Sequence, residues 1–193
     1  VESNSWKIDR AHDSAEIEIR MTLRVGAKIV YPGRGPCLIG PVVRKVVCGR
    51  SAKFYQLVLL DGTRAELFVP VDNLHDLHLR ELLDRSEIPR LLDRLKSHGA
   101  VTGNVPPTKN WRERQTENSK LLSSGSIFDL ADKVESLTQL SRTKTLATAE
   151  RDTLYRARKL LVCEIAEVMN ETKGAAEARI DRVLGASLHD VNH

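Results

Sequence analysis

Phe54-Tyr55-Gln56-Leu57-Val58-Leu59-Leu60-Asp61-Gly62-Thr63-Arg64-Ala65-Glu66-Leu67-Phe68-Val69 decides the fold of the first half of the chain. Aromatic and branched aliphatic residues crowd both arms, the composition of a pleated, half-buried surface. Asp61-Gly62 between them is a strong hairpin signal, and the second arm, 64–69, returns antiparallel and stops at Pro70. Working upstream, residues 27–31 form a short strand ended by Pro32-Gly33-Arg34-Gly35-Pro36. That cluster forces a tight turn, because Gly supplies positive φ and Pro blocks pairing. A strand resumes over 37–47, with Gly40-Pro41 as a bend or bulge, and 48–52, containing Gly49, reads as a loop. Four short, curved strands with Gly and Pro at the corners predict a small barrel of the SH3 or Tudor type.

From residue 79 the apolar period changes from 2 to 3.6. Ser86 is expected to cap a helix with Pro89 in its first turn and Ile88, Leu91, Leu92 and Leu95 on one face. Residues 97–108, with Gly99, Gly103, Pro106 and Pro107, read as a linker. Helices follow over 110–122 and then behind Ser126, Thr148 and Thr172 as caps. Their buried faces are Ile127, Leu130, Ala131, Val134 and Leu137; then Leu154, Leu160, Leu161, Ile165 and Val168; then Ala176, Ile180, Val183 and Leu184, closed by Gly185. The fold class is α+β, a small barrel followed by a compact all-helical domain. The expected division is an extension at 1–20 without fixed order, a β module at 21–75, a helix and linker at 76–108, a helical domain at 109–185 and a tail at 186–193. Trp6, in the extension, receives no role.

Composition narrows the chemistry. The chain has 193 residues, 41% of them hydrophobic, and no apolar run approaches the ~18 residues of a membrane span. Residues 1–20 are polar and unlike a signal peptide. Cys37, Cys48 and Cys163 are far apart in sequence, which suits a reducing cytoplasm rather than a disulfide scaffold or zinc ribbon. His75 and His78, near Asp72 and Asp76, are read as surface histidines and not as a metal site. Gly33-Arg34-Gly35 lacks the remainder of a dinucleotide fingerprint, and there is neither a P-loop nor a nucleophile elbow. Cys163, within an apolar run, is read as a buried core residue, and the carboxylates Glu177 and Asp181 beside Arg179 and Arg182 as a solvated, ion-paired helix face. These readings predict no catalytic residue, no metal and no cofactor.

The net charge is +4, divided as −2 over 1–20, +5 over 21–96 and +1 over 97–193. Lys109-Asn110-Trp111-Arg112-Glu113-Arg114-Gln115-Thr116-Glu117-Asn118-Ser119-Lys120 opens a helix with Trp and continues with polar residues only. On that helix Trp111 shares a face with Gln115, Asn118 and Leu122. One reading packs Trp111 across the linker, in a protein–protein adaptor without DNA contact. The other is an apolar wedge among Lys109, Arg112 and Arg114, where cations hold phosphates and a flat ring stacks on or props apart bases. Such a site reads the shape of a junction between paired and unpaired DNA, not its sequence. A second basic cluster is Arg151, Arg156, Arg158 and Lys159, with Arg151 in a first helical turn where it opposes the dipole. The β module carries Arg44, Lys45, Arg50, Lys53 and Arg64, and an exposed strand edge there would suit β-augmentation by a partner protein.

Val25-Gly26-Ala27-Lys28-Ile29-Val30-Tyr31-Pro32-Gly33-Arg34-Gly35 resembles the opening of the CarD/CdnL family, and Val69-Pro70-Val71 with Leu79-Arg80 resembles the end of its first module. The likeness continues through Trp111, Arg114, Asn118, Leu121 and Gly125, and through Glu150, Leu154, Ala157, Leu160, Leu161 and Glu164. It covers about residues 22–185. Ala27 stands where Asp is usual, and Glu113 and Thr116 where some members carry basic residues. The resemblance implies a bacterial, non-enzymatic transcription factor, cytoplasmic and nucleoid-associated and expected to be a monomer. Its Tudor-like module would dock on the β subunit of an RNA polymerase holoenzyme with the housekeeping sigma factor. Its helical domain would touch promoter DNA, without sequence specificity, at the upstream edge of the melted bubble and stabilise the open complex. Carried over by residue, Trp111 is the minor-groove wedge, Arg114 a backbone contact and Arg151 a basic DNA contact, while Lys45 and Phe68 fall on polymerase-contacting positions with Arg44 beside them.

Overall fold

A computed structural model of the chain describes residues 24–96 and 111–186. The extension at 1–20, the linker at 97–108 and the tail past 186 lie outside the described residues. Strands β1 (Lys28–Tyr31), β2 (Gly35–Val47), β3 (Arg50–Leu59), β4 (Glu66–Pro70) and β5 (Arg80–Glu81) form one antiparallel sheet in the order β4-β3-β2-β1-β5. Ile29, Cys37, Ile39, Leu57, Leu59 and Val69 pack as its core. The register of β2 against β3 shifts between Ile39 and Val42, which is the bulge expected at Gly40-Pro41. Three local readings are corrected. The loop expected at 48–52 is a two-residue reversal at Cys48-Gly49, with φ of 51° and 76°, and Arg50 already pairs with Val47. Both residues adopt the left-handed conformation that matches the twist of a hairpin. Asp61-Gly62 does begin a hairpin connection, but a longer one: Leu59 N–H donates to the Ala65 carbonyl at 2.9 Å, and the Asp61 carboxylate accepts from Thr63 N–H at 2.9 Å. Finally β5 adds a fifth strand, two residues long and too short to show a period.

The helices are α1 (Ile88–Arg94), α2 (Trp111–Ser124), α3 (Ile127–Thr143), α4 (Thr148–Met169) and α5 (Lys173–Ala186). Ser126 and Thr172 cap as expected, accepting from Asp129 N–H at 3.3 Å and Ala175 N–H at 3.2 Å. Ser86 does not cap: Asp84 accepts from its N–H at 2.8 Å and starts a 3-10 turn that leads into α1. Thr148 is the first residue of α4, behind Ala147, whose N–H is taken by Glu150 at 2.9 Å. Gly185 lies inside α5 rather than closing it. A second core joins Ile88, Leu91 and Leu95 of the α1 segment to Ile127, Leu130, Val134, Leu161, Ile165 and Ile180. The α1 segment therefore packs with the helices.

The two cores meet at the turn between β1 and β2. A Cβ on Gly35 (φ 95°) would lie 3.3 Å from Leu160 of α4, and one on Gly125 (φ 74°), between α2 and α3, 3.2 Å from Pro32. Glycine is required at both positions for its positive φ, and any side chain would also press on the neighbouring module. Beside this turn Arg80 of β5 makes a two-pronged ion pair with Glu164 of α4, each N···O distance 2.7 Å. Lys28 reaches Glu167 of α4 at 2.7 Å, and Lys159 of α4 reaches Asp61 at 3.0 Å.

Candidate functional site

Strands β2 and β3 continue past the rest of the sheet as a two-stranded ribbon. β4 pairs with β3 only over Phe54–Val58, and the pairing of β1 with β2 stops at Leu38. Side chains alternate across such a ribbon. Register puts Lys45, opposite Ala52, on the same face as Phe54, Gln56 and Phe68. There the Lys45 ammonium sits 3.0 Å from the centroid of the Phe68 ring. An exposed cation–π contact of this kind contributes about 0.5–1 kcal/mol, enough to orient a lysine that would otherwise sample many rotamers. Phe68 lies on β4, an edge strand of the sheet. The structure thus brings together two of the three residues expected to contact polymerase.

Arg44 is not with them. It pairs across the ribbon with Lys53 on the opposite face, which also carries Val42 and Val46, 46% and 75% exposed. Adjacent numbers on a strand point to opposite sides, so Arg44 and Lys45 cannot serve one flat contact.

On the helical side, Lys109 lies outside the described residues. Trp111, Arg112 and Arg114 are placed by backbone alone, in the first turn of α2, and their side chains lie outside the described residues. Further along α2, Thr116, Ser119 and Lys120 are exposed and Asn118 is half-buried. Leu121 and Leu122, near its C-terminal end, pack on the helical core.

On α4 the basic cluster divides. Arg158 is held by Glu177 at 3.4 Å and Asp181 at 2.5 Å, both on α5, and Lys159 is held by Asp61. The carboxylates expected to pair within α5 are thus engaged from α4, while Arg179 turns to Glu171 at 2.8 Å. Arg151 reaches only the Thr148 hydroxyl, at 3.4 Å, and neither it nor Arg156 has an acidic partner among the described residues. Tyr155, one turn beyond Arg151, is 70% exposed, a large ring in water beside two cations that have no acidic partner among the described residues. Sequence reasoning passed over it, although an aromatic inside an Arg-rich stretch is the signal that could have found it. The paired charges titrate accordingly. The Asp61 carboxyl is pulled down to about 2, first by the Thr63 hydroxyl and further by Lys159, and Asp61 in turn raises the Lys159 ammonium.

Burial pushes the Cys37 thiol up to about 12 and raises that of Cys163, so neither is a ready nucleophile. Among the described residues no group of three His, Cys, Asp or Glu is placed to hold a metal ion, and no helix is long and apolar enough to cross a membrane.

Comparison with known proteins follows the same division. Residues 23–83 match the family model of the CarD-like/TRCF RID domain, and residues 101–181 match that of the CarD C-terminal domain. The "Putative transcription factor YdeB" of Bacillus subtilis (strain 168) is 23% identical over 157 residues, which cover 81% of this chain and 96% of that protein. The ribbon, β4 and Arg80 fall in the first matched segment; α2, the divided cluster of α4 and Glu164 fall in the second. With both halves matched in order, the chain belongs to the CarD-like family of transcription factors.

Proposed function

We propose that this chain bridges RNA polymerase and promoter DNA and stabilises the open complex. In this reading the face built by Lys45 and Phe68, beside the free edge of β4, docks on the polymerase β subunit of a holoenzyme carrying the housekeeping sigma factor. Arg44 stands apart from that face. Trp111 enters the minor groove at the upstream edge of the melted DNA as a wedge, with Lys109, Arg112, Arg114 and Arg151 on the phosphates. The chain acts as a monomer in the cytoplasm, at the nucleoid, without catalysis or a cofactor.

The observation that carries this reading is the division of the α4 cations. Those turned towards α5 and the sheet are neutralised, while Arg151 and Arg156 keep their charge for an outside anion, with Tyr155 between them. Phosphate contact of this kind is sequence-independent and salt-dependent. The contact need not be tight. Tethering on polymerase raises the effective DNA concentration to roughly millimolar, so a weak site is occupied. What matters is differential affinity: a ring that prefers the fork shifts the equilibrium only by its preference for open over closed DNA. Stacking worth about 1–3 kcal/mol corresponds to a shift of roughly 5- to 150-fold.

The test is the open-complex half-life with and without the protein. Trp111→Ala is expected to remove most of the added lifetime while polymerase capture and the melting curve stay as in wild type. An unchanged lifetime would leave the protein–protein adaptor as the better reading.

A further inference from the structure

Glu164 is 3% exposed, and a carboxylate taken that far from water is costly unless it is paired and hydrogen-bonded. Here both of its oxygens are engaged. Oε1 accepts from Arg80 Nη1 at 2.7 Å and from Leu83 N–H at 3.0 Å, and Oε2 accepts from Arg80 Nη2 at 2.7 Å. The same guanidinium donates from Nε to the Gly125 carbonyl at 2.6 Å and from Nη1 to the Glu81 carbonyl at 2.9 Å. One ion pair therefore ties together the end of the sheet, the chain entering α1, the C-terminal third of α4 and the turn joining α2 to α3. Arg80 and Leu83 lie in the first family-matched segment, and Gly125 and Glu164 in the second.

The place of Gly125 gives this tie leverage. Helix α2 runs from Trp111 to Ser124, and its apolar packing among the described residues comes from Leu121 and Leu122 in its last turn. Its 14 residues make a lever of about 21 Å at ~1.5 Å per residue. A rotation of ~10° at the Gly125 end would move the Trp111 end by roughly 3–4 Å. Stacking contacts do not survive a displacement of that size. An apolar pair of equal volume could supply the same stability without the directional bonds.

We infer that Glu164 is a positioning residue: through Arg80 and the Gly125 carbonyl it sets the angle at which α2 is held relative to the sheet, and so couples docking on the sheet to contact at the start of α2. The coupling rests on the bridging function proposed above; the geometric part does not. The experiment uses the full chain with nitroxide labels at the exposed native Cys48 and at Ser119→Cys on α2, since Cys37 and Cys163 are buried. Wild type is expected to give one narrow distance distribution by pulsed electron resonance. Glu164→Gln, and separately Arg80→Lys, which keeps the charge but loses the planar fork, should broaden or shift it. Both variants should capture polymerase as wild type does and lose the added open-complex lifetime. A distribution unchanged in both variants overturns the inference, as does a broadened one with full lifetime extension. Should Glu164→Gln fail to fold, Arg80→Lys decides. If wild type itself adds no lifetime, the bridging function fails, while the distance distributions still say whether this ion pair sets the geometry.

Discussion

The junction between sheet and helices and the two outer surfaces use the same cationic residue types in opposite ways. At the junction three cations have an acid: Arg80 with Glu164, Lys28 with Glu167, Lys159 with Asp61. On the outer surfaces Arg44 faces Lys53 across the ribbon, Lys45 lies on a ring, and Arg151 and Arg156 have no acidic partner among the described residues. Like charges set opposite one another on a sheet cost stability, and a cation in the first turn of a helix opposes its dipole. The fold gains nothing from placing Arg44 opposite Lys53 or Arg151 in a first helical turn, whereas those three junction cations are neutralised within it. The contrast separates charges paired within the fold from charges without an acidic partner among the described residues.

The largest expected effect lies at the junction. Glu164→Ala leaves the Arg80 guanidinium and the Leu83 N–H without their acceptor, and should cost about 3–5 kcal/mol in urea unfolding. Replacing both partners, Arg80→Met with Glu164→Leu, should cost clearly less, because no orphaned charge remains. Equal losses in the single and double variants would mean that the pair does not act as a unit, and would break the contrast at its strongest point. Next comes the ribbon. Lys45→Glu should weaken polymerase capture about tenfold, or ~1.4 kcal/mol, while Arg44→Glu, on the other face, should weaken it less. Arg44→Glu should melt within ~0.5 kcal/mol of wild type, and Lys45→Glu should lose in addition the about 0.5–1 kcal/mol of its contact with the Phe68 ring. If Arg44→Glu proves the more damaging, the docking surface is the other side of the ribbon.

The difference between the regions also explains what could be read beforehand. The hairpin arms and the buried faces of α3, α4 and α5 were legible because a packed face repeats at a fixed period, and Leu130, Val134, Leu161, Ile165 and Ile180 are buried as that period requires. The Cys48-Gly49 reversal was missed because cysteine is not a usual turn former, and β5 because two residues carry no pattern. Arg80 and Glu164 are 84 residues apart, and no local rule joins them. Both lie within the stretch that resembles the family, but only the fold shows that they touch. The separation of Arg44 from Lys45 was available from strand alternation alone; adjacency in number obscured it. Neither Trp111 nor Tyr155 belongs to a repeating face, so each had to be weighed by its neighbours, and only Trp111 was.

The smallest effect is the most specific test of the contrast, because it concerns one outer clasp of the junction and one titration. Asp61 has a folded-state value of about 2, below the ordinary carboxylate range near ~3.9. A group depressed in this way adds stability above its unfolded value, and loses it as pH falls through the folded value. The contribution should therefore be complete at neutral pH and fade between about pH 4 and pH 2. The Thr63 hydroxyl is the larger cause and belongs to the same loop, so the share due to Lys159 is the smaller one, within ~1 kcal/mol for a pair at the surface. Lys159→Met should remove only that share, and Asp61→Asn the whole acid-dependent increment, read as the slope of unfolding free energy against pH. Were Lys159→Met to flatten the slope as fully as Asp61→Asn, the clasp between α4 and the sheet would outweigh the local loop bond, and the junction would have a second tie comparable with Arg80 and Glu164.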